Sequence, residues 1–224
     1  MLVRLILIVV LFLPAIIVHE YAHAWTADKL GDPTPRWSGR LTLNPKAHFD
    51  LFGALTFLIT FLLFHIAIGW AKPVPINPLN FPNPVRDMAI VAAAGPLSNL
   101  AQAAGCYVLL AVLNLLYLSS PALPLWDLLL PLSVTLLIGA IIVNLFLALI
   151  NLIPVPPLDG SRILRAFVSY EVAAFLDSME RFGPIFALLA IWVIIRLAEP
   201  LIGGLFDLLF GGLEVVRFSL LGAL

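Results

Sequence analysis

The sequence predicts an all-α membrane protein: a polytopic helix bundle of about five spanning helices plus one re-entrant or sixth segment, with short β strands at the membrane edge. Of the 224 residues, 62% are hydrophobic and only 11% are charged, whereas a soluble domain carries about 25% charged residues. Several apolar runs reach the roughly 20 residues that a helix needs to cross the hydrocarbon layer. Lipid is therefore the solvent expected around most of the chain.

Five apolar runs are candidates for membrane helices. The last is interrupted by Arg196, Glu199 and Pro200, which predicts two short helices joined by a tight turn. The runs cover residues 1–27, 51–71, 88–118, 128–153 and about 184–216. We predict one domain, residues 1–224, divided into a first helix (1–30), a strand and re-entrant region (31–87), core helices (88–160) and C-terminal helices (161–224).

Charge and cysteine content exclude several classes of function. The net charge of -1, without a basic stripe, excludes nucleic acid as a partner. The single cysteine, Cys106, excludes a disulfide framework and a cysteine-based metal site. The N-terminal run after Arg4 also resembles a secretory signal peptide, but cleavage near Ala22 would divide a cluster of ionisable residues. Residues 1–30 are therefore predicted to remain a structural helix.

The basic residues predict the orientation of the spans. Lys and Arg occur in segments 28–50, 72–87 and 161–182, and none occurs in 119–131. The basic segments are therefore expected on the cytoplasmic side. Because residues 51–71 lie between two such segments, a re-entrant element is favoured there over a true span. We expect a multi-pass protein of the cell membrane, in a prokaryote the plasma membrane.

Two segments rich in proline are predicted to be extended rather than helical. Residues 40–43 and 72–76 show short alternations of polar or proline and apolar residues. That pattern is typical of strands. We expect both to lie at the membrane edge, where they could pair with an unwound substrate strand.

The sequence His19-Glu20-Tyr21-Ala22-His23 is the sharpest chemical signal. Two histidines four residues apart share one face of a helix and can bind one metal ion. Glu20 can then act as the general base toward a water on that metal. Because this cluster continues an apolar run, a solvated helix face is a poor alternative explanation. The pattern predicts one Zn²⁺ per chain.

A hydrolytic zinc site commonly has three protein ligands, and Asp159 is the best candidate for the third. Prolines 154, 156 and 157 end the preceding helix, and Gly160 permits a sharp turn after the aspartate. The predicted orientation places Asp159 and the end of the first helix toward the same, cytoplasmic side. The alternative is that Asp159 caps a helix beginning near Ser161.

The chain resembles the site-2 protease family of intramembrane zinc metalloproteases. Three motifs occur in the family's order: His19-Glu20-x-x-His23, then Gly95-Pro96-Leu97-Ser98-Asn99, then the stretch 151–160 that ends in Leu158-Asp159-Gly160. The resemblance strengthens Asp159 as a ligand and implies cleavage of transmembrane or membrane-proximal segments of other proteins. The chain is similar to the short branch without a PDZ or CBS domain, which has an extra block at about residues 40–70.

Other polar residues have weaker predicted roles. Gly95 and Asn99, one helical turn apart, are possible supporting residues, but helix packing is favoured over contact with the site. Asn151 is a predicted catalytic residue that could donate to the developing oxyanion, a role that the resemblance also suggests. Its alternative is to satisfy carbonyls of its own helix. His48 and Asp50 are better explained by capping than by metal binding.

The leading functional prediction is peptide-bond hydrolysis within the membrane, with transmembrane proteins and the lipid bilayer as partners. A metal transporter or sensor would favour several metal sites along a path, whereas one compact cluster is present. A catalytically silent membrane chaperone would show a broken motif, and the motif is intact. The oligomeric state is left open.

Overall fold

Eight α-helices and a short 3-10 turn (Pro78–Asn80) form the part of the chain that the computed structural model describes. This part comprises residues 2–64, 69–121, 125–180, 209–210, 213 and 216. The helices are α1 (Leu2–Lys29), α2 (Thr34–Trp37), α3 (Pro45–His48), α4 (Leu51–Phe64), α5 (Pro84–Ser119), α6 (Leu125–Asn151), α7 (Asp159–Arg165) and α8 (Tyr170–Glu180).

Among the described residues, three helices are long and apolar enough to cross a membrane: α1 over Leu5–Lys29, α5 over Pro84–Ser119 and α6 over Trp126–Asn151. Helix α5 packs against both α1 and α6, and α7 packs against α5. Buried apolar side chains fill the α5–α6 interface, among them Ala103, Leu110, Leu130, Val134 and Ile141. The all-helical prediction therefore holds for the described residues, with three spans among them. The predicted run 184–216 lies almost entirely outside those residues.

Helix boundaries follow local chemistry. Helix α5 begins at Pro84, four residues before the predicted run, because proline is favoured in the first helical turn. Asp87 closes that turn by accepting the Asn83 N–H at 3.0 Å. Helix α6 ends at Asn151, ahead of the prolines that begin at Pro154, as the sequence predicts.

The two ends of segment 51–71 meet. The Lys72 N–H donates to the His48 carbonyl at 2.9 Å. A Cβ at Gly53 would lie 2.1 Å from the Trp70 carbonyl oxygen, so the chain returns directly against the first turn of α4. Helix α4 has 14 residues, about 21 Å of helix, against about 30 Å of hydrocarbon. This geometry fits the predicted re-entrant element better than a span.

The predicted membrane-edge strands are wrong for both segments. Residues 41 and 42 form a bend, and residues 72–76 are assigned neither helix nor strand. The prolines at 73 and 75 favour an extended backbone for the residues that precede them. Pro73 and Pro75 lack the N–H that a ladder requires, which explains the second case. Instead of strand pairing, the buried Arg40 guanidinium holds the two segments together. It donates to the Ala47 carbonyl and, at 3.4 Å, to the Lys72 carbonyl.

Asp32 joins the turn after α1 to the segment that precedes α5. Its side chain is fully buried. Its carboxylate accepts hydrogen bonds from the Thr34 N–H and hydroxyl, the Asn77 N–H at 2.8 Å and the Asn80 amide at 2.7 Å. Burial raises the pKa of the Asp32 carboxyl, but the hydrogen bonds outweigh burial and hold that pKa below its ordinary value. This connection holds the end of α1 near the start of α5.

Candidate metal centre

The two histidines lie on the face of α1 that packs against α5. They are placed about 15 and 9 Å before the end of that helix at Lys29. Both side chains are buried, with 7% of each residue exposed. Helix α1 is long and apolar enough to cross a membrane, and polar groups within such a helix need specific partners.

The nitrogen atoms of these rings converge on Asp159. His19 Nε2 and His23 Nε2 lie 3.0 Å apart. Asp159 Oδ2 lies 3.2 Å from the first and 3.3 Å from the second. Among the described residues, His19, His23 and Asp159 form the group whose ligand atoms all fall within 4.8 Å of one another. The structure thus brings together the three residues that the sequence predicts as metal ligands.

Asp159 is the first residue of α7 and turns its carboxylate toward α1. The helix N-cap position is Leu158, which has no side-chain cap hydrogen bond, so Asp159 does not cap a later helix start. Gly160 allows this placement through close approach. A Cβ there would lie 2.3 Å from the Leu152 carbonyl oxygen and 2.4 Å from that of Ile153. The start of α7 can therefore fold back against the end of α6 only without a side chain at residue 160.

Helix α5 supplies a partner for the Nδ1 atom of each ring. His23 Nδ1 lies 2.7 Å from the Val91 carbonyl oxygen, and His19 Nδ1 lies 2.6 Å from Asn99 Oδ1. A carbonyl oxygen only accepts, so the His23 Nδ1–H donates and its Nε2 keeps a lone pair. Pro96 in the same stretch has no N–H to donate to the Ala92 carbonyl.

The three converging atoms fit a zinc ion. Bonds of about 2.0–2.1 Å in a tetrahedral zinc site place neighbouring ligand atoms about 3.3–3.4 Å apart. The observed separations of 3.0, 3.2 and 3.3 Å are close to that value. With Nδ1 of each ring engaged by an oxygen of α5, the lone pairs of the Nε2 atoms and the carboxylate face one another. Such an arrangement is stabilised by a cation between them.

Gly95 contacts the rings directly. A Cβ at this position would lie 2.4 Å from His23 Nε2 and 2.5 Å from His19 Cε1. The sequence favoured helix packing for Gly95 and Asn99, and that preference is wrong. Gly95 leaves room for both imidazoles, and the Asn99 amide is bonded to one of them.

Glu20 lies between the two histidines in sequence and is half-buried. Its Oε2 accepts the Val74 N–H at 3.2 Å. This contact brings the extended segment 72–76 to the edge of the site. The sequence gives no direct sign of this hydrogen bond, because its donor is a main-chain group.

The side chain of Asn151 is hydrogen-bonded within its own helix. Its side-chain amide donates to the Leu147 carbonyl at 2.9 Å, one helical turn earlier. Asp50 accepts the Gly53 N–H at 2.7 Å at the start of α4, a capping contact. His48 Nε2 lies 2.8 Å from the Thr42 carbonyl oxygen. Among the described residues, neither Asp50 nor His48 belongs to the group formed by His19, His23 and Asp159.

Sequence reasoning missed Asn144, whose Oδ1 accepts from the Asn99 amide at 2.9 Å. Asn144 is buried in α6, 3% exposed. It interrupts an apolar stretch of a spanning helix, and a lone amide at that depth is costly without partners. That interruption was the available signal.

Comparisons with known proteins find metalloproteases. The model of peptidase family M50 matches residues 130–191. The chain is 35% identical over 185 residues to "Putative zinc metalloprotease YwhC" of Bacillus subtilis. The aligned region covers 79% of this chain and 75% of that protein. It is 28% identical over 208 residues to "Putative zinc metalloprotease Rip2" of Mycobacterium tuberculosis, covering 92% of this chain and 72% of that protein. No solved structure matches significantly.

Proposed function

The chain belongs to peptidase family M50, the site-2 protease family, and is a zinc metalloprotease; from that premise we propose that it hydrolyses peptide bonds in or near transmembrane segments of other membrane proteins. The observation that carries this proposal is the position of the metal-ligating cluster. His19 and His23 lie inside a helix long and apolar enough to span the membrane, so a peptide must reach them within the bilayer.

The metal would be held by His19 Nε2, His23 Nε2 and one oxygen of Asp159, with one zinc per chain. When bound there, zinc would polarise the scissile carbonyl and lower the pKa of a coordinated water to about 7. The dipole of α7 favours the Asp159 carboxylate at its N-terminus, although a helix of seven residues adds only modestly to this. The fourth position remains for water and substrate.

Glu20 is the general base in this proposal. Its Oε2 is held by the Val74 N–H, which leaves Oε1 to take a proton from the attacking water. The protonated carboxyl then delivers that proton to the leaving amine. Anchoring of one oxygen by a main-chain donor limits the rotation of the carboxylate.

A substrate helix must be unwound first, because its peptide bonds are shielded by their own hydrogen bonds. The extended segment 72–76 lies beside Glu20 and can receive the unwound strand. Because Pro73 and Pro75 have no N–H, their carbonyls can accept from the substrate but their nitrogens cannot donate. Asn151 uses one amide hydrogen on Leu147, so the second can stabilise the developing oxyanion.

The proposed location is the plasma membrane of a prokaryote, with the site toward the cytoplasmic face. The ends of α1 and α6 that carry the site adjoin the segments rich in Lys and Arg, 28–50 and 161–182. Segment 51–71 leaves from and returns to that same side.

The test is cleavage by the purified full chain in proteoliposomes that contain a single-span protein with a destabilised transmembrane helix. Glu20→Gln should retain zinc and lose cleavage, because the amide cannot take the proton. Glu171→Gln is the matched control, since Glu171 is exposed on α8 and outside the site. Mass spectrometry should place the cut within or next to the transmembrane segment. Cleavage by Glu20→Gln, or cuts confined to distant soluble loops, would contradict the proposal.

A further inference from the structure

The tautomer of a zinc-binding histidine is set by the partner of its other nitrogen. For His23 this partner is the main-chain carbonyl of Val91, which can only accept, so the hydrogen must be on Nδ1. For His19 the partner is the Asn99 side chain, which offers an oxygen or, if turned over, an N–H. If Asn99 were turned over, its N–H would donate to His19 Nδ1. His19 Nε2 would then carry the hydrogen and could not bind a metal.

Two groups behind Asn99 decide which way its amide faces. Asn99 Nδ2 lies 3.2 Å from the Ala15 carbonyl oxygen and 2.9 Å from Asn144 Oδ1. The Ala15 oxygen can only accept, so the NH₂ group must face α1's backbone and Oδ1 must face His19. Asn99 is fully buried, with 0% exposed, so water cannot replace these partners.

Asn144 is oriented in the same way. Its Nδ2 donates to the Ala140 carbonyl at 2.9 Å, which leaves its Oδ1 to accept from Asn99. These hydrogen bonds form a relay from His19 through Asn99 and Asn144 to the Ala140 carbonyl. A branch of the relay runs from Asn99 to the Ala15 carbonyl. The two main-chain oxygens, of Ala140 and Ala15, can only accept, so the amides of Asn144 and Asn99 each have one compatible orientation.

We propose that Asn99 and Asn144 are positioning residues that hold His19 in the tautomer with hydrogen on Nδ1, and so keep its Nε2 available for zinc. The inference rests on the proposed metalloprotease site. It assigns a role to Asn144 on α6, which contributes no ligand. The relay connects three helices, α1, α5 and α6, at the depth of the metal-ligating cluster.

The first measurement reads the tautomer of His19 without zinc. The full chain, labelled with ¹⁵N at histidine, is examined in detergent micelles by long-range ¹H–¹⁵N correlation. The chain has four histidines, so the signals that disappear in His23→Gln, His48→Gln and His65→Gln are assigned to those residues, and the remaining signal is that of His19. Wild type should show His19 with hydrogen on Nδ1. A wild-type His19 with hydrogen on Nε2 would overturn the inference.

The second measurement compares variants of Asn99. Asn99→Leu removes the acceptor, so His19 should populate both tautomers and zinc affinity should fall about 10–100-fold. Asn99→Asp keeps an acceptor of nearly the same size toward His19 Nδ1, although its second oxygen then faces the Ala15 carbonyl without a hydrogen to donate. It should therefore retain the Nδ1–H tautomer and bind zinc more tightly than Asn99→Leu. If both variants behave alike, or if the leucine variant loses zinc with the tautomer unchanged, Asn99 only packs.

Two further variants separate the relay from general damage to the bundle. In Asn144→Leu, Asn99 keeps the Ala15 carbonyl as the acceptor for its NH₂ group. His19 should therefore shift only partly to the other tautomer, and its zinc affinity should fall by less than about tenfold, which is less than in Asn99→Leu. Asn114→Leu makes the same change in α5 about 22 Å along the helix and should alter neither. A wild-type protein that binds no zinc would reject the proposed function, while the zinc-free tautomer spectra would still decide this inference.

Discussion

Replacement of Gly95 by alanine should disable the site through one methyl group. The added Cβ would lie 2.4 Å from His23 Nε2 and 2.5 Å from His19 Cε1, where ordinary contacts begin near 3.4 Å. The rings, or helix α5, must therefore move by about 1 Å. Movement of the rings would break or stretch the hydrogen bonds that their Nδ1 atoms make with the Val91 carbonyl and with Asn99. A displacement of about 1 Å in a catalytic group can cost about 10²-fold in rate.

The assay for Gly95→Ala is zinc content together with cleavage of a transmembrane substrate in proteoliposomes. We expect cleavage at least about 10²-fold slower and weaker zinc retention, with helical content unchanged. Gly105→Ala is the matched control, because it lies in the same helix and a Cβ there meets nothing within 4 Å. Both variants gain the intrinsic preference of alanine for helix, about 1 kcal/mol. Wild-type turnover and zinc content in Gly95→Ala would refute the steric argument.

Four more outcomes follow from the same contacts. Asp159→Ala should lose bound zinc, which metal analysis of the purified protein detects; unchanged zinc would reject it as a ligand. Asn151→Ala should cleave about 10²–10³-fold more slowly with normal zinc content, and near wild-type turnover would leave only its bond to Leu147. Because the pKa of Asp32 is lowered on folding, its stabilisation is present above the unfolded pKa of about 4 and is lost as pH falls through the folded pKa. Thermal unfolding should therefore show Asp32→Asn less stable at neutral pH, by about 1–3 kcal/mol, and less sensitive to acid than wild type. Cysteine labelling at Ser38 and Ser120, in a background without Cys106, should give opposite sidedness.

The sequence was sufficient to predict the three residues whose side chains the structure brings together, because each belongs to a local pattern. His19 and His23 have helical spacing, and Asp159 stands just after a helix that prolines must end. The three long helices could also be predicted, since length and apolar content determine whether a helix can span. These features depend on neighbours in the chain and need no knowledge of how helices pack.

The groups that hydrogen-bond to His19, His23 and Glu20 could not be predicted from the sequence in the same way. Val91 acts through its carbonyl, and Val74 through its N–H, so neither side chain carries a signal. The predicted strand at 72–76 does not form, because Pro73 and Pro75 have no N–H to donate, although the segment has the period-two alternation of a strand. The role of Asn99 depends on the relative register of α1 and α5, which the sequence of either helix alone does not specify.

That register explains why the second motif has its spacing. Helices α1 and α5 run in opposite directions, so His23 meets Val91 and His19 meets Asn99, with Gly95 midway between them. Residues 91, 95 and 99 are spaced by four and share one face of α5. The face offers a main-chain acceptor, then open space, then a side-chain acceptor. Along α5 the two acceptors follow the order 91, 99, and because the helices are antiparallel they meet the rings in the order His23, His19. Helix α5 thus orients both histidines although none of the three proposed ligands belongs to it.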